Sequence, residues 1–298
     1  MVSSELELLA PAKINLVLRI CGRRADGYHE IETVMQKLEL ADHLKIKINF
    51  DFKNVELRCP GIDLPEDENN LIYQAAQAFL DYTGISAGVQ IRLDKRIPVA
   101  AGLGGGSSDA AATLLGLNDL FSTDLAEDDL LGLASALGAD VPFFVGKNGA
   151  AYATGIGTTL RNIGSITDCW IILVNPGLAV STKWAYENFR LTNTDKPYMF
   201  SGYSKSLENE FPTGMSTVLK KCGTEFPFND LETVTVQRYG VIKNIKDELQ
   251  RQGACLAMMS GSGPTVFGVF IRRTEAEASY NVFNKKYNGV FLTQPVST

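Results

Sequence analysis

In "ELELLAPAKINLVLRI" the even positions Leu6, Leu8, Ala10, Ala12, Ile14, Leu16, Leu18 and Ile20 are all apolar. Alternation of period two over that length predicts strand on both sides of Pro11, with the even face against a core. "HLKIKINF" repeats the pattern through Leu44, Ile46, Ile48 and Phe50, and Val89, Ile91 and Leu93 do so again. Between them "ENNLIYQAAQAFLDY" predicts a helix with Leu71, Ala75, Ala78 and Tyr82 on its apolar stripe. Ala110, Leu114, Leu117 and Phe121 fall on one face of a second helix starting near Ser107. "EDDLLGLASALG" predicts a third, acidic in its first turn and ending at Gly138, after which "VPFFVG" and "GAAYATG" return to strand.

From about residue 168 the order changes. "CWIILV" is a strand, and a polar stretch around residues 191–228 has no clear assignment. "VTVQRYGVIKNIKDELQRQG" predicts a helix, "ACLAMMS" and "TVFGVFI" two strands, "EAEASYNVFNKKY" a helix and "GVFLT" a last strand. Strand, helix, two strands, helix, strand is the order of the ferredoxin-like plait. The fold class is therefore α+β in two domains, with a boundary in "TLRNIGSITD" that separates residues 1–165 from 166–298.

Composition removes several function classes. A net charge of −6 with no basic run argues against nucleic acid as a partner. The acidic start lacks the basic region of a signal peptide, and no apolar stretch is long enough for a membrane span. Five cysteines, odd in number and without a C-x-x-C pair, suit free thiols in a reducing cytoplasm. Two histidines make a histidine-based metal centre a poor expectation. No exposed apolar stripe specifies an assembly, so a monomer or weak homodimer is expected.

The chemistry concentrates in "PVAAGLGGGSSDAAA", residues 98–112, with four glycines in five positions. It is not a P-loop, since the only nearby lysine, Lys95, precedes the glycines. A strand, then glycines, then a helix start gathers free backbone N–H groups where the helix dipole favours an anion, by about 0.3–1 kcal/mol. Ser107 and Ser108 can cap that helix, donate to a phosphate, or hold Mg²⁺ through a hydroxyl. A capped turn needs one glycine, so four favour a phosphate cradle.

Lys13 and Asn15 share the face opposite the apolar one, roughly 6.5–7 Å apart along the strand. Asp140 follows a helix end and stands two residues before Pro142. Each has an ordinary explanation alone, a solvated strand face for the first two and a backbone-capping turn for the third. Together with a phosphate cradle, a cation and an aspartate are what phosphoryl transfer requires.

These segments carry a resemblance. "PVAAGLGGGSSDAAA" resembles the second signature of the GHMP small-molecule kinases, "PAKINLVLRI" the first and "GSGPTVFGVF" the third, in the family's order across almost the whole chain. "RRADGYHE" and "LGADVPFF" are similar to the branch whose substrate is a cytidine diphosphate ester of methylerythritol in the non-mevalonate isoprenoid pathway.

The resemblance implies an enzyme that uses ATP and Mg²⁺ on a small-molecule substrate. Its N-terminal domain would be ribosomal-S5-like and its C-terminal domain ferredoxin-like. Carried over residue by residue, it implies a catalytic pair in Lys13 and Asp140. ATP phosphates would lie on Pro98, Val99, Ala100, Ala101, Gly102, Leu103, Gly104, Gly105, Gly106, Ser107 and Ser108. Tyr28, His29 and Tyr186 would hold the cytosine, Asn15 the sugar alcohol, and Gly261, Ser262 and Gly263 the substrate phosphates. A homoserine or mevalonate kinase, a nucleotide sensor and an S5-related RNA binder are the competing expectations.

Overall fold

The computed structural model describes residues 4–190 and 228–297. Almost all of the polar stretch 191–228 lies outside the described residues, as does Cys222. The strands are β1 Glu5–Arg23, β2 His29–Asn49, β3 Val55–Arg58, β4 Gly88–Asp94, β5 Ala150–Thr154, β6 Thr159–Ile163, β7 Trp170–Asn175, β8 Phe228–Asn229, β9 Leu256–Met259, β10 Val266–Phe270 and β11 Gly289–Thr293. The helices are α1 Leu71–Thr83, α2 Gly105–Phe121, α3 Glu127–Leu137, α4 Val141–Val145, α5 Thr182–Asn188, α6 Asp230–Arg238, α7 Gly240–Arg251 and α8 Arg273–Phe283. They form two compact units, neither a continuous segment. The first comprises Met1–Ala12, Ala41–Val99 and Gly104–Lys147, the second Lys13–Leu40, Ala100–Leu103 and Asn148–Thr298.

In the first unit β2 pairs antiparallel with β4, setting Leu44 opposite Leu93, Ile46 opposite Ile91 and Ile48 opposite Val89. The alternating apolar residues thus meet as cross-strand pairs, the unit of sheet stabilisation. β3 runs parallel to β4. Helix α2 lies close on this sheet, because a side chain at Gly116 would come within 2.8 Å of methyls of Leu8 and Ile46. Asn70 caps α1 by accepting from Ile72 N–H at 2.9 Å, and Gly84 ends it in the left-handed region.

Three local expectations are corrected in this unit. The buried stripe of α1 is Ile72, Ala75, Ala76, Phe79 and Leu80, whereas Tyr82 is exposed and donates its hydroxyl to Asp129 at 2.6 Å. The larger apolar groups Ile72 and Phe79 decide which face turns inward, and Tyr82 has a polar end that solvent satisfies. Phe50 lies past the end of β2 and is exposed. "VPFFV" is helix α4 and not strand, with Pro142 in the first turn, where its missing N–H leaves no helical bond unmade.

In the second unit β7, β9, β10 and β11 form an antiparallel sheet in the order β11–β7–β10–β9. This is the strand order of the ferredoxin-like plait, and the chain is α+β. Ile242, Ile245 and Leu249 of α7 and Ala276 and Phe283 of α8 pack on Ile172, Val174, Met259 and Phe270 of the sheet. The helix expected over residues 234–253 is two helices, α6 and α7, meeting at Tyr239 (φ −122°, ψ 79°). Tyr239 leaves the helical path and packs edge-on against Trp184, centroids 6.1 Å apart.

The same unit takes β1 from Lys13 and β2 up to Leu40, with β5 antiparallel to β2, β6 to β5, and β8 parallel to β1. The part of β2 before Leu44 shows no alternation because Ile31 through Leu38 are all buried, Glu32, Thr33, Gln36 and Lys37 included. A strand covered on both faces loses the period-two signal.

The two assignments for α1 separate on stability. Phe79→Ala costs about 3–5 kcal/mol, as for a large side chain removed from a packed core. Tyr82→Ala leaves the urea midpoint near the parent's, and equal shifts in equilibrium unfolding would restore the stripe read from the sequence.

Candidate active site

The glycine segment leaves β4 and enters α2 at Gly105, two residues before the expected start. Gly104, at φ 70°, is the N-cap and no side chain caps the helix, so Ser107 and Ser108 stand inside the first turn. The first helical hydrogen bond runs from Ser108 N–H to the Gly104 carbonyl at 2.9 Å. The N–H groups of Gly105, Gly106 and Ser107 precede it and point out of the positive end of the dipole. Gly106 is exposed, and a Cβ there would meet its nearest neighbour only at 3.7 Å, so an anion can approach these amides. Ser107 is half-buried, while the Ser108 Oγ is buried with no hydrogen-bond partner among the described residues.

Beneath this turn lies a buried charge cluster that the sequence did not reveal. Lys95 Nζ pairs with Asp42 and, at 3.0 Å, with Asp109 Oδ2. Asp42 Oδ1 also accepts from the N–H groups of Arg96 at 2.6 Å and Ile97 at 2.8 Å, fixing the chain as it leaves β4. A Cβ on Gly105 would sit 2.8 Å from Lys95 Nζ, so the ammonium lies against the first residue of α2. Burial pushes Asp109 up to about 7, with Lys95 opposing that rise and Asp42 adding to it. The readable signal was an aspartate three residues after the last glycine, leading into a run of alanines.

In the second unit Lys13 and Asn15 are buried, not solvated. Lys13 Nζ donates to Asn15 Oδ1 at 2.6 Å, Asn15 Nδ2 donates to Thr33 Oγ1 at 2.8 Å, and the Thr33 hydroxyl donates to the Val17 carbonyl at 2.6 Å. Lys13 N–H also donates to the Leu103 carbonyl at 2.9 Å, anchoring residues 100–103 on β1. Those residues are tied to the third motif as well, since Ser260 Oγ donates to the Gly102 carbonyl at 2.9 Å. A Cβ on Gly102 would lie 2.2 Å from the Ser260 carbonyl oxygen. Asn229, missed from the sequence, holds the motif from behind, its Nδ2 donating to the Met259 carbonyl at 2.9 Å and the Gly261 carbonyl at 2.7 Å. Thr182 and Ser262 share a hydroxyl hydrogen bond at 2.8 Å, which links the start of α5 to the same loop.

Helix α5 carries Tyr186, whose ring stacks on His29 at 5.1 Å between centroids and 29° between planes. Tyr28 stands 62% exposed on a turn held by Arg24 N–H to the Tyr28 carbonyl at 2.8 Å and Tyr28 N–H to Asp26 Oδ1 at 3.1 Å. Burial, with Arg23 adding to it, holds His29 below the usual histidine range, so the ring is neutral at neutral pH. Asp140 belongs to the first unit and immediately precedes α4. Its side chain makes no cap hydrogen bond to α4.

Among the described residues no three His, Cys, Asp or Glu side chains form a metal-binding group, and no helix is long and apolar enough to cross a membrane. The family model for the GHMP kinases N terminal domain matches residues 70–148, and that for the GHMP kinases C terminal matches 218–289. The chain is 43% identical to a 4-diphosphocytidyl-2-C-methyl-D-erythritol kinase of Syntrophotalea carbinolica, over 97% of this chain and 98% of that one. It is 39% identical to one of Clostridium novyi, over 96% and 99%. A solved 4-(cytidine 5'-diphospho)-2C-methyl-D-erythritol kinase superposes with a TM-score of 0.79 at 31% identity, over 98% of this chain and 100% of that one. A homoserine kinase from Cytophaga hutchinsonii superposes at 0.75 with 17% identity, over 99% and 96%, a likeness of fold alone.

The raised Asp109 has a consequence for stability. Between about pH 4 and pH 7 the folded carboxyl keeps a proton that the unfolded chain releases, so its contribution falls as pH rises through that window. Asp109→Asn, which does not titrate, therefore gains stability relative to the parent from about pH 5 to about pH 8. Chemical denaturation of both proteins at the two pH values checks this, and parallel changes would refute it.

Proposed function

The chain belongs to the GHMP kinases, and within that family we propose that it transfers the γ-phosphoryl group of ATP to the 2-hydroxyl of 4-diphosphocytidyl-2-C-methyl-D-erythritol. The products are the 2-phosphate and ADP, in the non-mevalonate route to isopentenyl diphosphate. The observation that carries the reading is the buried ammonium of Lys13, fixed on Asn15 in the unit that also holds the His29–Tyr186 stack. A desolvated cation, in a unit that also carries a pair of rings suited to a planar base, fits a phosphoryl acceptor with a nucleotide handle.

Asp140 is the base in this reading. It accepts the proton of the 2-hydroxyl as that oxygen bonds to the γ-phosphorus, and the bond from that phosphorus to the bridging oxygen breaks to release ADP. Lys13 offsets the negative charge gathered on the transferring group, and Asn15 orients the sugar alcohol. Pro98 to Ser108 hold the ATP phosphates, with the N–H groups that open α2 as donors. Tyr28, His29 and Tyr186 hold the cytosine, and Gly261, Ser262 and Gly263 the substrate diphosphate. Neutral His29 keeps one acceptor and one donor for a base edge.

The first turn of α2 fits Mg²⁺, which keeps several waters and needs few protein oxygens beside the phosphates. The hydroxyl of Ser107 or of Ser108, the latter without a hydrogen-bond partner among the described residues, would hold it, and the ion would supply charge neutralisation. The division into domains 1–165 and 166–298, a cytoplasmic location and a monomeric or weakly dimeric state belong to the same reading.

ADP release with ATP and Mg²⁺ tests the assignment, with the cytidylylated methylerythritol, homoserine and mevalonate offered in turn. Turnover is expected with the first alone, and preference for either of the others refutes the substrate. Asp140→Asn should lower kcat by about 10²–10⁴-fold with ATP affinity nearly intact. Tyr28→Ala should weaken binding of the cytidylylated substrate by about 1–3 kcal/mol, the worth of one ring stacked on a base. An unchanged KM would remove Tyr28 from the pocket.

A further inference from the structure

We infer that Thr33 is a positioning residue whose hydroxyl decides which end of the Asn15 carboxamide faces the Lys13 ammonium. The inference rests on the reading of Lys13 as catalytic and adds a residue that neither its motif nor its charge marks.

The argument is one of donors and acceptors. A threonine hydroxyl has one proton, and a backbone carbonyl can only accept. The Thr33 hydroxyl lies 2.6 Å from the Val17 carbonyl oxygen, so its proton is committed there. Its oxygen then has only lone pairs to offer, and the Asn15 atom 2.8 Å away is the amide nitrogen. That leaves the carboxamide oxygen toward Lys13 Nζ, at 2.6 Å. With the amide turned over, two donors would face each other at Lys13 and two acceptors at Thr33. Lys13, Asn15 and Thr33 are all buried, where unmatched polar contacts are costly.

The surroundings keep this chain of bonds in place. Thr33 lies in β2 opposite Ala153 of β5, and Val17 lies in β1 opposite Phe228 of β8, so both ends are set by sheet pairing. Gly261 closes on the carboxamide oxygen, because a Cβ there would come 3.3 Å from Asn15 Oδ1. A β-branched residue suits the strand, and valine would fill the same space. What valine lacks is the hydroxyl, so the choice of threonine is explained by the Asn15 amide.

Steady-state kinetics of Thr33→Val, Thr33→Ser and Lys13→Met test this. Thr33→Val should lower kcat about tenfold to hundredfold with the KM for ATP unchanged, the weight of a misplaced group in a positioning network. Thr33→Ser, which restores the hydroxyl, should return kcat to within about threefold of the parent. A Thr33→Val enzyme at parental kcat, while Lys13→Met is inactive, overturns the role of Thr33 and leaves Lys13 standing. A Lys13→Met enzyme at parental kcat removes the reading beneath it. A measurement on the parent needs no variant to fold, since the Asn15 side-chain N–H bonded to Thr33 should exchange slowly with solvent by NMR. Exchange as fast as that of an exposed carboxamide would also refute the inference.

Discussion

An ammonium withdrawn from water must be surrounded by oxygen, and each of the two units meets that demand once. Lys13 meets it with a carboxamide, Lys95 with the carboxyl groups of Asp42 and Asp109, the latter raised to about 7. The two solutions differ in charge. The carboxamide that accepts from Lys13 is neutral. Lys95 is spent on Asp42 and Asp109, which suits a group that holds a turn in shape. Asp42 illustrates the second use, because its other oxygen accepts the two N–H groups where the chain leaves β4. The burial of each lysine thus explains the polar residues around it, and those residues in turn fix the ends of the glycine segment.

Much of the fold was legible. Strand β1 through Pro11, the pairing residues of β2 and β4, and the strand and helix order of the plait follow from the spacing of their apolar residues, although in β1 both faces are buried from Ala12 to Leu18 and only the apolar even positions carry the signal. Periodicity fails where two-sided burial leaves apolar residues on both faces, or where few residues report. Ile31 to Leu38 are hidden on both faces, so that part of β2 had no alternating signal. The face of α1 was misjudged because alanines fit either side, and only Ile72 and Phe79 discriminate. The short helix α4 was hidden by a general preference of residues before proline for extended backbone, which a first-turn proline overrides.

The candidate site drew attention where it carries an uncommon residue pattern. Glycines at a helix start, and a lysine and amide on one face of a strand, announce themselves, and the structure places Lys13, Asn15 and the third motif within one unit. His29 and Tyr186, 157 positions apart by their numbering, were joined only through resemblance, and they stack. Thr33, Asn229, Asp42 and Asp109 were missed for a common reason. Each acts through a hydrogen bond or ion pair to a partner distant in sequence, and a single buried polar residue in an apolar run gives no sign of where that partner is.

The approach of residues 100–103 to the third motif bears on how such a chain can change. The Gly102 carbonyl accepts from Ser260, Thr265 N–H donates to the Ala101 carbonyl at 3.4 Å, and neither Gly102 nor Gly261 leaves room for a Cβ without pressing on the other segment. Residues 100–103 and the third signature are in effect one riveted part encoded in two places. Hybrids that graft one of them from a distant relative must import its counterpart, and insertions near either will be tolerated only when matched by the other.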